Sequence, residues 1–293
     1  MALFKKKEEA EEKEVKQAEP QFYKSATGDT TINYRVYYLS AAEKLGYFLL
    51  AFAAGAAVGY LFYGGIGKDE YGAPTLLTRV LNVIIMAVCG AVAGKMFLPI
   101  RQRQILELRK NNLKTQFRDM LEALSTSLGS GKNVPESFAA VYEDIKNQYE
   151  EDAFILKELE IINSGMANGI NIEDLINDFG TRSGCPDIED FAGVFEICYR
   201  RGGNIKDTIQ NTCGILGDKM SVMEEIETTV SGSKNEQYIM LVLPILLIGM
   251  IKVSSPEFAE NFVTPSGLVA TTIALAMFVA AYFLGKKLLD IKV

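Results

Sequence analysis

Leu45–Gly67 reads LGYFLLAFAAGAAVGYLFYGGIG, with Lys44 before it, Lys68 after it and no charged residue between. Wound as a helix rising about 1.5 Å per residue, this run is long enough to cross a hydrocarbon layer about 30 Å thick. Outward from it, a second run extends from Val80 to Ile100, bounded by Arg79 and Arg101 and interrupted only by Lys95. A third, Tyr238–Ile251, is shorter and needs Gln237 or the stem of Lys252 to reach across by snorkelling. The fourth, Asn261–Gly285, is closed by Lys286 and Lys287. The short Ser254–Thr264 connection pairs the third run with the fourth, so the pattern predicts two membrane hairpins. Composition agrees: 48% apolar and 23% charged residues sit together in 293 positions only if the two are segregated along the chain.

Basic residues beside the runs orient them. Arg101, Arg103, Arg109, Lys110, Lys114 and Arg118 crowd the stretch after the second run. Lys286, Lys287 and Lys292 follow the fourth, and Lys5, Lys6 and Lys7 lie near the start. The hairpin loops carry few bases and several acids, Asp69, Glu70, Glu257 and Glu260. Both termini and the central region are therefore expected in the cytoplasm. The first apolar run begins too late for a signal peptide, and no small-residue cleavage site follows it.

Four segments result. Residues 1–43 are a cytoplasmic tail and lead-in, 44–100 the first hairpin, 101–236 a central domain, and 237–293 the second hairpin with a short cytoplasmic end. Met1–Pro20 mixes Lys and Glu with almost no large apolar residue and is expected to be disordered. Gln21–Glu43 carries Phe22, Tyr23, Tyr34, Tyr37 and Tyr38, which suits an interfacial segment or a partner-binding strip.

The central domain reads as helical throughout. Leu113, Phe117, Met120, Leu121, Leu124 and Leu128 recur at helical spacing, as do Phe191, Val194, Phe195 and Cys198, and Ile209, Cys213, Leu216, Met220 and Met223. No stretch alternates at the strand period. One punctuation recurs between helices: Gly131-Lys132-Asn133, Gly169-Ile170-Asn171, and Gly202-Gly203-Asn204. In each, glycine suits the left-handed end of one helix, and asparagine with an acid three residues on suits the start of the next. These corners, with Pro186 opening a further helix, predict about six antiparallel helices. Their spacing also fits a tetratricopeptide-like repeat, but the apolar residues between corners do not repeat.

Several function classes fall away. There is no histidine, which removes His-based triads and most catalytic zinc sites. A net charge of -7 argues against nucleic acid as a partner. The four cysteines, Cys89, Cys185, Cys198 and Cys213, show no CxxC spacing and read as small core residues in a reducing compartment. Gly129-Ser130-Gly131-Lys132-Asn133 resembles the end of a P-loop, but Thr126 stands at the motif's first glycine and Asn133 follows the lysine. Glu150, Glu151 and Asp152 read as a solvated corner, and Glu224, Glu225 and Glu227 as a wet helix face. Asn82 and Lys95 are the polar residues of the second run, where a transport pathway would need such groups, but Lys95 lies a turn from the cytoplasmic end and reads better as a snorkelling lysine. Pro244 suggests a kink or discontinuity in the third. No nucleophile, base and orienter come together, so neither enzyme activity nor a cofactor is expected.

The string Phe117-Arg118-Asp119-Met120-Leu121-Glu122-Ala123-Leu124, followed by Gly131 and the Asn133–Phe138 helix start, resembles the opening of the type II secretion system F domain. Gly169–Leu175 is similar to that domain's middle corner. Phe191, Arg201-Gly202-Gly203-Asn204-Ile205, the Leu243-Pro244 step and Pro265-Ser266-Gly267 resemble the TadB and TadC branch. The likeness extends over about Lys44–Val293. It implies an all-α, multi-pass platform protein of the plasma (inner) membrane, with a cytoplasmic six-helix F domain between two hairpins. Its implied setting is a Tad/Flp-type pilus or related secretion machine, with a cytoplasmic ATPase, a paralogous platform protein or second copy, and pilin subunits as partners. The resemblance covers one F domain, where the F proteins of type II secretion and type IV pili have two in tandem. Lys132, Arg200 and Arg201, beside the structural corners Gly131, Asn133, Gly169, Asn171, Gly202, Gly203 and Asn204, are the candidate partner contact. A membrane transport subunit and a four-span receptor with an intracellular signalling bundle are the alternatives.

Overall fold

The structure, a computed structural model, describes residues 19–67, 74–255 and 260–289. Most of the expected disordered tail, with Lys5–Lys7, lies outside the described residues, as do Lys68, Asp69, Glu70, Glu257 and Lys292. The chain is built almost wholly of helices, joined by a short antiparallel ladder of β1 (Phe22–Lys24) and β2 (Thr30–Ile32). The helices are α1 (Ala41–Tyr63), α2 (Leu76–Gly129), α3 (Val134–Gln148), α4 (Phe154–Ala167), α5 (Ile172–Ser183), α6 (Pro186–Arg201), α7 (Ile205–Ser254) and α8 (Pro265–Leu289). They form two compact units. One comprises the residues up to Tyr38 and Gln102–Met220; the other comprises Leu39–Arg101 and Ser221–Val293.

The first unit is a helical domain with an aromatic core. Leu113, Phe117, Met120, Leu121 and Leu124 of α2 are all buried, against Phe138 of α3, Ile155 and Leu159 of α4, Phe179 of α5, and Phe191 and Phe195 of α6. Each such side chain contributes about 1.5–3 kcal/mol by leaving water. Phe117 anchors the cluster, its ring centroid 5.4 Å from that of Phe191 and 6.0 Å from that of Phe179. Helices α3 to α6 pack each on the next. Four residues of the expected core stripes lie outside it: Val194 and Met223 are nearly half exposed, and Cys198 and Met220 are partly exposed.

Residues 19–38 differ from the interfacial lead-in. Tyr34 is fully buried in this helical core, and the ladder that precedes it is strand where no strand was expected. Three residues per strand are too few to produce a visible alternation, and Gly28 with a φ of +86° makes the turn between them.

The second unit supplies four helices long and apolar enough to cross a membrane: Ala41–Tyr63, the first part of α2, Asn235–Lys252, and Pro265–Gly285. Large apolar side chains such as Leu50 (68%), Met240 (73%) and Met277 (68%) point away from the unit. So much exposed apolar surface is stable only in an apolar solvent. Small residues let α1 and α2 approach closely. A β-carbon on Gly55 would lie 2.5 Å from that of Ala93, and one on Gly59 would lie 2.7 Å from that of Cys89. In return, Phe52 and Phe48 cover Gly90 and Gly94.

Helices α2 and α7 each contain a proline, Pro99 and Pro244, and run through it without a break. The discontinuity expected at Pro244 is therefore absent. Each proline still removes the N–H that would pair with the carbonyl four residues earlier.

Candidate functional site

The recurring corners hold the candidate contact residues. Asn133 caps α3: its Oδ1 accepts from the Glu136 N–H at 2.9 Å, and the Glu136 carboxylate accepts from the Asn133 N–H at 3.4 Å. Gly131, before it, has a φ of +91°. At the second corner Gly169 has a φ of +81°, and the Ile170 N–H donates to the Gly165 carbonyl at 3.0 Å. Asn171 departs from the expected cap. Its side chain makes no cap bond and instead donates to Asp174 Oδ2 at 3.3 Å.

The third corner shifts by one residue. Gly202 takes the left-handed conformation, with a φ of +71°, while Gly203 does not. The Gly203 N–H closes the helix end by donating to the Cys198 carbonyl at 2.8 Å. Asn204 then accepts from the Asp207 N–H at 3.3 Å. The sequence reading places the left-handed residue at Gly203; either glycine of the pair can take that conformation, and here it falls on Gly202.

These corners meet at one end of the helical unit. The place a β-carbon would take on Gly129, beside the first corner, is 3.8 Å from Lys206 Nζ, beside the third. Arg200, at the end of α6, reaches Glu173 and Asp174 of the second corner, each at 3.4 Å, and Glu196 at 3.2 Å. Arg200 is thus shared among carboxylates. Lys132, Arg201 and Lys206 are exposed, and among the described residues they have no ion-pair partner. Lys132 also borders an open groove of about 620 Å³ with Arg118, Asp119, Glu122 and Asp144. Three carboxylates there oppose an anionic ligand, which is a second reason against a phosphate loop. Asp119 of that groove also accepts from Tyr149, and burial, then that carboxylate, raises the Tyr149 phenol to about 12.

A second constellation was not anticipated. Arg182 of α5 forms a double hydrogen bond with Glu158 of α4, Nη2 to Oε2 at 2.7 Å and Nη1 to Oε1 at 2.9 Å. Its Nε donates to Asp178 at 2.8 Å, and Tyr34 Oη donates to Glu158 Oε1 at 2.9 Å. Burial alone would lower the Arg182 pKa, but Glu158 and Asp178 more than reverse this and hold it above its ordinary value. Burial, then Glu158, pushes the Tyr34 phenol well up, so it stays a neutral donor. The sequence did carry a signal: Glu158 falls on the stripe Ile155, Leu159, Ile162, and Arg182 on the stripe Leu175, Phe179. Opposite charges on two apolar stripes imply a buried pair.

In the apolar unit the candidate pathway residues separate. Asn82 Oδ1 accepts from the Gly65 N–H at 2.9 Å and so ties down the loop after α1. Lys95 lies exposed on α2. Polar bonds between helices occur at Tyr63–Thr272, 3.1 Å, and from Gln237 to the Tyr282 carbonyl, 3.3 Å. Comparison with protein-family models, with curated proteins and with solved structures finds no match.

Proposed function

We propose that this chain is a platform protein of the plasma membrane, belonging to a Tad/Flp-type pilus or related type II secretion machine. In this reading the two apolar hairpins span the bilayer. The six helical segments from Gln102 to Met220 form a cytoplasmic F domain, and both termini lie in the cytoplasm. A separate ATPase hydrolyses nucleotide and moves this domain; the chain itself catalyses nothing. Pilin subunits pass from the bilayer into a fibre beside a paralogous platform protein or a second copy.

The observation that carries the reading is the meeting of three glycine corners, two of them with an asparagine cap, at one end of a helical unit whose α2 and α7 continue unbroken into apolar, membrane-length helices. Capped helix ends present a preformed surface and need no loop ordering on contact. Lys132 and Arg201, with Lys206 beside them, are the charges free to meet a partner. A transport subunit would need polar groups lining a path, and Asn82 is already committed to a backbone amide.

The test is co-purification of the secretion ATPase with the full-length protein from membranes. Lys132→Glu with Arg201→Glu is expected to reduce recovery several-fold while the helical circular dichroism stays unchanged. Arg200 is left alone, because its reversal would also disturb three carboxylates. Undiminished recovery excludes this end as the contact, and failure to recover any secretion ATPase with the unaltered protein counts against the platform reading itself.

A further inference from the structure

The chain crosses between its two units three times: at Tyr38–Leu39, within α2 at Arg101–Gln102, and within α7 at Met220–Ser221. The last two crossings lie inside continuous helices, whose length is fixed by their hydrogen bonds. The first is the one non-helical crossing, and its attachment to the helical unit is made by residues 19–38.

We propose that residues 19–38 are a latch, which opens and closes on the helical unit as one piece while the helices beneath it remain folded. The bonds that hold it include the one from Tyr34 Oη to Glu158. The Tyr34 N–H donates to the Arg182 carbonyl at 3.0 Å, Arg182 Nη1 donates to the Ile32 carbonyl at 3.3 Å, and Gln102 Nε2 donates to the Tyr37 carbonyl at 2.6 Å. The Arg109 guanidinium lies over the Tyr37 ring at 4.5 Å. Tyr34 is the large side chain of the segment that is fully buried in the core, edge-on to Phe154 at 5.6 Å, and Ile32 packs half-buried against the same core. Phe22, Tyr23 and Tyr38 remain exposed. The ladder β1–β2 has two strands, too few to be stable alone, so the latch has no folded state of its own to return to when released.

What the latch uncovers is equally telling. With Tyr34 withdrawn, Glu158 keeps both bonds to Arg182, and Arg182 keeps Asp178. Opening therefore hydrates an ion pair that remains paired, and leaves no orphan charge behind. The consequence is mechanical: opening lengthens the connection into α1 and leaves the helical connections through α2 and α7 as they were. This inference stands on the seating of Tyr34 and is independent of the platform reading.

Hydrogen exchange of the full-length protein in lipid nanodiscs tests it. Amides of residues 22–38 are expected to exchange at least about 100-fold faster than those of α4, through an opening that α4 does not share. Tyr34→Phe keeps the ring and removes the bond to Glu158. It is expected to raise latch exchange about tenfold, the size of one hydrogen bond to a charged group, and to leave α4 and α5 unchanged. Equal protection of latch and α4, rising together in Tyr34→Phe, would show that the segment belongs to the cooperative core and overturn the proposal. Complete absence of protection in residues 22–38 would overturn the seating itself.

Discussion

A carboxylate held between two lysines shows how single residues set the chemistry of the helical unit. Asp187 sits in the first turn of α6, 3.3 Å from Lys114 and bonded to Lys219. Partial burial alone would raise its pKa, but the lysines outweigh this and hold it below its ordinary value of 3.8. The sign follows: the charged form is favoured by folding, so the contribution is present above the ordinary value and lost as pH falls through the lower, folded one. Asp187→Asn is expected to lower the melting temperature at neutral pH, to match the parent near pH 2, and so to flatten the acid limb of the melting curve. At the third corner the two glycines separate. Gly202→Ala places a β-carbon in the left-handed region and is expected to cost about 1–2 kcal/mol. Gly203→Ala, whose β-carbon meets Cys198 at an ordinary 3.4 Å, is expected to stay within about 0.5 kcal/mol. Thermal unfolding of the two variants side by side measures the difference.

Among elements, the first apolar helix was legible because nothing competes with its signal: a run long enough to cross lipid, free of charge and bracketed by lysines, has few other meanings, whereas the second carries Lys95 and the short third was legible through its pairing with the fourth. The starts of α3, α5 and α7 were legible in the glycine and asparagine that precede them, although Asn171 turns its side chain to Asp174. The β1–β2 ladder was not, since its stability comes from seating against the helical unit rather than from its own pattern. Helix contact in the apolar unit was hidden for a related reason. The sequence displays many glycines, and which of them face a neighbour depends on the register of α1 against α2. The structure separates Gly55, pressed on Ala93, from Gly46, with open space around it. Gly55→Leu is expected to lose several degrees of thermal stability in detergent, by about 1–3 kcal/mol of overpacking, and Gly46→Leu to lose none.

For the whole molecule, the division into an apolar and a helical unit followed from segregated composition, but the reach of the N-terminal segment did not. Two apolar stripes carry the Glu158–Arg182 pair, but no local pattern reports that Tyr34, far away in sequence, joins it. The account as a whole depends on the side of the membrane that the helical unit occupies, because a nucleotide-driven partner works from the cytoplasm. Cysteine labelling in intact cells decides this directly. On a cysteine-free background, single probes go to Gly72→Cys, Glu150→Cys and Glu257→Cys, and a membrane-impermeant maleimide is added outside. The account predicts labelling at positions 72 and 257, and at 150 only after the cells are broken. Labelling at 150 in intact cells, with neither loop labelled, would contradict it.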